Sequence, residues 1–128
     1  MAIQRLAHFT VRTTALRDTV RFYTEVLGLR EGWRPPFDFP GAWLYCGGDT
    51  PEHAAVHLIV GEAGDHGGAA VDHVAFNASD LSGVRSRLRA HGLIYREQVV
   101  PQLGLHQLFC KDPCGVTIEL TFAGVDDA

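Results

Sequence analysis

Hydrophobic and polar residues alternate along positions 3–12, "IQRLAHFTVR", which places Phe9 and Val11 on one face and His8 on the other. Alternation with a period of two is typical of a β-strand that is buried on one side. After position 12 the apolar residues recur at the spacing of a helix. The predicted helix is defined by apolar Leu16, Val20 and Leu27, by Thr13 or Thr14 as its N-cap and by Gly28 at its end.

A segment rich in proline and glycine follows the helix. Three prolines and two glycines fall within "REGWRPPFDFPGAW" at 30–43, which predicts a loop between short strands. Two more strands are expected, "AWLYC" at 42–46 and "AAVHLIV" at 54–60. His57 lies in the second of these strands, on the face opposite Val56.

The same order of elements begins again in the second half of the chain. The predicted elements are a strand at 71–77, a helix at 79–92 capped by Ser79 and closed by Gly92, and strands at 94–100, 106–110 and 116–122. The first of these strands contains His73 and the last contains Glu119.

Residue numbers support an internal repeat. His8 and His73 are 65 positions apart (73 − 8), and a shift of 62 (119 − 57) pairs His57 with Glu119. The predicted organisation is one α+β domain, 1–128, made of two βαβββ modules at about 3–60 and 70–122 and joined by the glycine-rich segment 61–69.

Four ionisable side chains thus occupy two pairs of equivalent positions: His8, His57, His73 and Glu119. Their apolar neighbours point the opposite way, so all four are expected in mid-strand on the concave face of the sheet. A lone histidine in a strand is usually a hydrogen-bonded structural residue, but four such groups in one cavity are costly without a partner. Imidazole nitrogen and carboxylate oxygen both bind divalent cations, so the repeat predicts a metal site.

The other histidines have less support from the repeat. His106 enters a predicted strand and is a candidate catalytic acid or base, or a residue that supports the metal ligands. His53, His66 and His91 fall in loops or at a helix end, where we expect them to be solvated.

Composition and charge narrow the class of function. The chain has 128 residues, of which 46% are hydrophobic and 20% charged, as in an ordinary globular domain. The net charge of −4 and the scattered basic residues argue against nucleic acid as a partner. No apolar run reaches the length of a signal peptide or a membrane span, so we expect a cytoplasmic protein without membrane association.

Three segments, "FYTEVLGL", "DHVAF" and "CKDPCGVTIEL", resemble the vicinal oxygen chelate superfamily, which includes glyoxalase I, extradiol dioxygenases and bleomycin resistance proteins. The resemblance covers about 4–122. It implies an open, cup-shaped mixed sheet with helices on the outside, a homodimer and one divalent metal ion per chain, which is Fe, Mn, Ni or Zn. The implied metal ligands are His8, His57, His73 and Glu119.

Departures from the family patterns leave the reaction open. Glyoxalase I commonly has a carboxylate where this chain has His57, so Glu119 is left as the proton carrier for that isomerisation. Extradiol dioxygenases use two histidines and one glutamate, which His8, His73 and Glu119 match. The tyrosine of their last module has no counterpart in "HQLFCKDPCG".

We therefore expect a metal-dependent enzyme that chelates a small substrate through adjacent oxygens. Ring-cleaving dioxygenation ranks marginally ahead of glyoxalase-like isomerase, lyase or epimerase chemistry, and both rank ahead of metal-free binding of a small molecule. Glu119, His57 and His106 are the candidate catalytic residues. His57 is either a fourth metal ligand, which favours isomerisation, or a substrate contact, which leaves a coordination position for dioxygen.

Aromatic residues are concentrated in the proline-rich loop. They are Trp33, Phe37, Phe39 and Trp43. Two roles are expected for them: a lid over an apolar or aromatic substrate, or a cover for the edge of the core.

Overall fold

The computed structural model describes residues 4–62, 71–100 and 104–124. Two compact units are found, with the boundary between residues 65 and 66. Most of the predicted linker at 61–69, including His66, lies outside the described residues. The grouping of both modules into one domain stays a prediction.

The first unit contains one four-stranded sheet. Its described elements are β1 (Phe9–Thr13), α1 (Leu16–Arg21), β2 (Arg30–Gly32), β3 (Gly41–Tyr45) and β4 (Ala54–Val60). A π-helical turn at Phe22–Val26 continues α1, and a short 3₁₀ turn at Pro51–His53 precedes β4. The strand order is β1-β4-β3-β2, with β1 parallel to β4 and the other neighbours antiparallel.

The face of this sheet that α1 covers is apolar. Val56 and Leu58 of β4 are buried beside Leu44 of β3, and α1 contacts both strands. Burial of each such side chain stabilises the fold by about 1.5–3 kcal/mol. The predicted strand at 54–60 is confirmed, and its alternation leaves His57 on the opposite face.

The second unit repeats this architecture. Its described elements are β5 (Val74–Ala78), α2 (Leu81–Ala90), β6 (Arg96–Val100), β7 (Leu105–Lys111) and β8 (Thr117–Ala123). The strand order is β5-β8-β7-β6, and β5 is parallel to β8 as β1 is to β4. The predicted α+β class and the paired βαβββ order are therefore confirmed.

The helix starts differ from those predicted. The predicted threonine cap of α1 is wrong, because Ala15 occupies the N-cap position without a side-chain hydrogen bond and Thr13 Oγ1 instead accepts one from the Ala15 N–H. The N-cap of α2 is Asp80 rather than Ser79. The Asp80 carboxylate accepts a hydrogen bond from the Gly83 N–H, which satisfies a backbone donor of the first turn.

The helix ends agree with the sequence. Gly28 and Gly92 follow the two helical segments with positive φ values of 84° and 68°, the conformation that glycine adopts without strain. Across the described parts of the chain, every helix is too short or too polar to cross a membrane.

Candidate active site

Glu119 lies on the face of the second sheet that α2 does not cover. Its neighbours in β8, Ile118 and Leu120, lie on the opposite face because successive side chains of a strand alternate, and all three residues are buried. Gln107 Nε2 and Thr121 Oγ1 donate hydrogen bonds to Glu119 Oε2 at 3.0 and 2.7 Å. These two donors fix the carboxylate and leave Oε1 for a different partner.

That partner is His73, whose Nε2 lies 3.0 Å from Glu119 Oε1. On the other side of the ring, His73 Nδ1 lies 2.8 Å from Asp72 Oδ2. The hydrogen bond with Asp72 raises the pKa of His73 above its ordinary value of 6.5, and the charge of Glu119 acts in the same direction.

The pair contains donor types that divalent cations bind, because imidazole nitrogen and carboxylate oxygen are both common metal ligands. The 3.0 Å between His73 Nε2 and Glu119 Oε1 is an ordinary hydrogen-bond distance. A carboxylate on the far nitrogen of a ligating histidine fixes its tautomer, and Asp72 is in that position. The donor chemistry of the second unit is therefore compatible with a divalent cation.

The first unit contains the other two predicted ligands, on the face of its sheet opposite the core. His57 is half-buried between two rings, with Trp43 stacked at a centroid distance of 4.0 Å and His8 at 3.7 Å. Trp43 is the direct neighbour of His57 across β3 and β4. Partial burial lowers the pKa of His57 below 6.5, and the charge of His8 adds to this effect.

The stacked pair is arranged differently from the pair in the second unit. The planes of His8 and His57 are only 14° apart, so the two rings stack face to face. Considered unit by unit, the described residues contain no group of three histidine, cysteine or acidic side chains able to hold a metal. A ligand set of four residues stays a prediction.

Two positions differ from the expectation that all four residues lie in mid-strand. His8 directly precedes β1 and His73 directly precedes β5. The reason is the parallel pairing, because the ladder between β5 and β8 begins at Val74, one residue later than His73. Both histidines consequently lie at the amino-terminal ends of their strands, where they are exposed.

The structure corrects the expected orientation of His106. This residue is buried in β7, and its Nε2 lies 2.5 Å from Oε1 of Glu97, which also binds Arg85 of α2. His106 pairs with Phe122 across the sheet, whereas Gln107 next to it binds Glu119. Because successive side chains of a strand alternate, His106 lies on the helix-covered face and points away from Glu119.

Three residues that contact His73 or Glu119 were not predicted from the sequence. Asp72, Gln107 and Thr121 are polar residues that no periodicity distinguishes from solvated ones. Thr121 carries the only local signal, since it stands two positions after Glu119 and therefore shares its face.

The second unit also contains a cavity of about 630 Å³, whose lining residues do not include His73 or Glu119. Its walls include Arg96 and Phe109, with the Arg96 guanidinium 4.1 Å from the centre of the Phe109 ring. The edge of the Phe109 ring faces His73 at 6.1 Å. A volume of this size accommodates a small molecule.

The class of protein is defined by two βαβββ units, each with ionisable side chains on the sheet face that its helix does not cover. A family model described as "Glyoxalase/Bleomycin resistance protein/Dioxygenase superfamily" matches residues 5–120. The lactoylglutathione lyase of Salmonella typhimurium is 31% identical over 124 residues, which cover 91% of this chain and 90% of that protein. The chain belongs to the glyoxalase/bleomycin resistance protein/dioxygenase superfamily, as its sequence motifs predicted.

Solved structures agree on the fold. The glyoxylase/bleomycin resistance protein/dioxygenase domain from Frankia sp. EAN1pec has a TM-score of 0.73 at 20% identity and covers 95% of this chain and 99% of its own. The fosfomycin resistance protein FosX from Listeria monocytogenes has a TM-score of 0.71 at 16% identity, with 94% of both chains covered. Such different functions on one fold mean that the reaction has to be argued from the site.

Proposed function

We propose that this protein is a divalent-metal-dependent lyase of the glyoxalase type. Its substrate would be the adduct of a 2-oxoaldehyde with glutathione, in which a hydroxyl and a carbonyl oxygen stand on adjacent carbons. The product is the isomeric thioester of a 2-hydroxy acid. The single observation that carries the proposal is the fixed Glu119 carboxylate, with Oε1 beside His73 Nε2 at 3.0 Å. The relatives named lactoylglutathione lyase support the reaction class.

The proposed metal ligands are His73 and Glu119 of the second unit and His8 and His57 of the first. When bound, a divalent cation would stabilise the negative charge that develops on the substrate oxygens. Nitrogen and carboxylate donors of this kind suit Fe, Mn, Ni or Zn.

The proton transfer is assigned to Glu119. The isomerisation takes a proton from the carbon that carries sulfur and returns one to the neighbouring carbonyl carbon, so neither an oxidant nor a reductant is consumed. Gln107 and Thr121 hold Oε2 and so fix the orientation of the carboxylate that would accept and return the proton. His106 takes no part in this scheme, because it points to the other face of the sheet.

This proposal reverses the order in which the two reactions were expected from the sequence. Dioxygenation ranked marginally first because His8, His73 and Glu119 match a two-histidine, one-glutamate set. The relatives named lactoylglutathione lyase favour the alternative. For that reaction we propose His57 as the fourth ligand.

The test combines reconstitution with different metals, an assay of thioester formation and an assay of oxygen uptake. Purified protein, reconstituted separately with Ni, Zn, Mn or Fe, is expected to convert the methylglyoxal–glutathione adduct into its thioester, followed by ultraviolet absorbance. Glu119→Gln should lower kcat by about 10²–10⁴-fold, because it removes the proton carrier. Glu52→Gln, at an exposed glutamate in the 3₁₀ turn, is the matched control and should leave kcat unchanged.

Two results would contradict the proposal. Oxygen uptake with catechols that depends on Glu119, in the absence of thioester formation, would establish the dioxygenase instead. A protein that retains no divalent ion and turns over neither substrate would be a binding protein for a small molecule.

A further inference from the structure

Four neighbouring aromatic side chains on the first unit, three exposed and one half-buried, form what we call the aromatic patch: Trp33, Phe37, Phe39 and the half-buried Trp43. The first three are 60%, 44% and 40% exposed. A loop whose aromatic residues merely covered the core would bury them, since exposed apolar area is unfavourable in water. The exposure of three neighbouring rings therefore indicates a surface for a ligand.

The aromatic patch is held in place by contacts within the loop. Phe37 and Phe39 stack at a centroid distance of 5.0 Å, and the Arg34 guanidinium lies 5.0 Å from each ring centre. Arg34 also donates a hydrogen bond of 2.8 Å to the Phe39 carbonyl oxygen, and Tyr45 donates one to the Trp33 carbonyl oxygen. A surface ordered before binding loses little entropy when a ligand arrives.

The aromatic patch is continuous with a predicted metal ligand. Trp33 meets the Trp43 ring edge to face at 6.2 Å, and the Trp43 ring lies flat on His57 at 4.0 Å with an interplanar angle of 11°. A group bound against Trp33 and Phe37 would thus lie close to the group that His57 binds. Planar rings suit such a surface because they stack on indole and phenyl rings with specific geometry.

We propose that the aromatic patch recognises an aromatic ring on the substrate, so that the preferred substrates are aryl-substituted 2-oxoaldehyde adducts rather than the methyl-substituted one. This inference rests on the proposed function and specifies its substrate class. Trp33 and Phe37 are the specificity-determining residues.

The kinetic test compares kcat/KM for the glutathione adducts of phenylglyoxal and methylglyoxal. The wild-type ratio of phenyl to methyl should exceed about ten, and Trp33→Ala or Phe37→Ala should each lower it about tenfold, mainly by raising KM for the phenyl adduct. Both residues are exposed, so neither variant removes core packing, and two independent variants guard against a local misfold. Val99→Ala, at another exposed apolar residue in β6, should leave the ratio unchanged.

A binding experiment separates this inference from the proposed function. Metal-free protein is titrated with mandelate and with lactate and followed by tryptophan fluorescence and ligand-observed NMR. Mandelate should bind about tenfold more tightly than lactate, and Trp33→Ala should remove the difference. If this holds while neither adduct is turned over, ring recognition is supported and the lyase proposal fails.

Three outcomes would overturn the inference. The first is turnover with a phenyl-to-methyl ratio that neither variant changes, in which case the lyase proposal still stands. The second is equal binding of mandelate and lactate. The third is a change of molecular mass in solution on Trp33→Ala, which would make the aromatic patch an interface between copies of this chain.

Discussion

At the scale of single residues, two histidines of the candidate site have opposite surroundings. His57 is half-buried between the rings of Trp43 and His8, and its burial and the charge of His8 both lower its pKa. His73 lies between the carboxylates of Asp72 and Glu119, which raise its pKa. His73 therefore still carries its extra proton at a pH at which His57 is already neutral.

In the metal-free protein we expect NMR titration of the imidazole carbons to give a pKa above 6.5 for His73 and below 6.5 for His57. Asp72→Asn should lower the pKa of His73, because Asp72 binds that ring, and should leave the pKa of His57 in the first unit unchanged. A raised pKa in the folded state means that His73 stabilises the fold below pH 6.5 and loses this effect as pH rises through its own pKa. The reverse order of the two pKa values would contradict the described geometry.

At the scale of elements, each unit joins its helix to a strand of its sheet by an arginine–glutamate pair. Arg17 of α1 binds Glu31 of β2 with side chains that are 61% and 41% exposed. Arg85 of α2 binds Glu97 of β6 through two hydrogen bonds of 2.8 and 2.7 Å, with side chains only 13% and 23% exposed. The hydrogen bonds from Arg85 lower the pKa of Glu97 to about 2.

Glu97→Gln should lower the free energy of unfolding by about 2–4 kcal/mol, because it removes the negative charge that accepts two hydrogen bonds from the largely buried Arg85 guanidinium. The matched change Glu31→Gln should cost less than about 1 kcal/mol, since that pair is exposed. Urea unfolding at pH 7 followed by circular dichroism measures both. The Glu97 effect is fully present above pH 4.5 and should be lost as pH falls through about 2, because the carboxylate is protonated in both states below that pH. Equal effects of the two substitutions would contradict the difference in burial.

At the scale of the whole molecule, metal binding and folding should be linked. A ligand that binds only the folded chain at 100 times its Kd adds about 2.7 kcal/mol to the free energy of unfolding. We expect added Ni or Zn to raise Tm, chelator to lower it again, and His73→Ala to abolish the effect. His91→Ala, at the exposed C-cap of α2, is the control that should retain it. A Tm independent of metal would refute the proposed ligands. The predicted homodimer is checked separately, by measuring the molecular mass in solution.

The sequence by itself was sufficient for the order of elements. Periods of two and 3.6 are local properties of the chain, so the strand at 54–60 appeared with the same bounds in the structure. Gly28 and Gly92 marked the helix ends because the left-handed conformation is a local requirement. The equivalence of His57 and Glu119 followed from the repeat, since both lie in the last strand of their unit on the face away from the helix.

Only the tertiary structure decided the partners of the polar groups. Whether His106 faces Glu119 or Glu97 depends on which face of its sheet the helix covers, and that is set by packing between segments far apart in sequence. His73 falls outside its strand because the parallel ladder begins where β8 pairs with Val74. Local periodicity specifies which residues share a face of a strand, whereas register and layer order determine what that face meets.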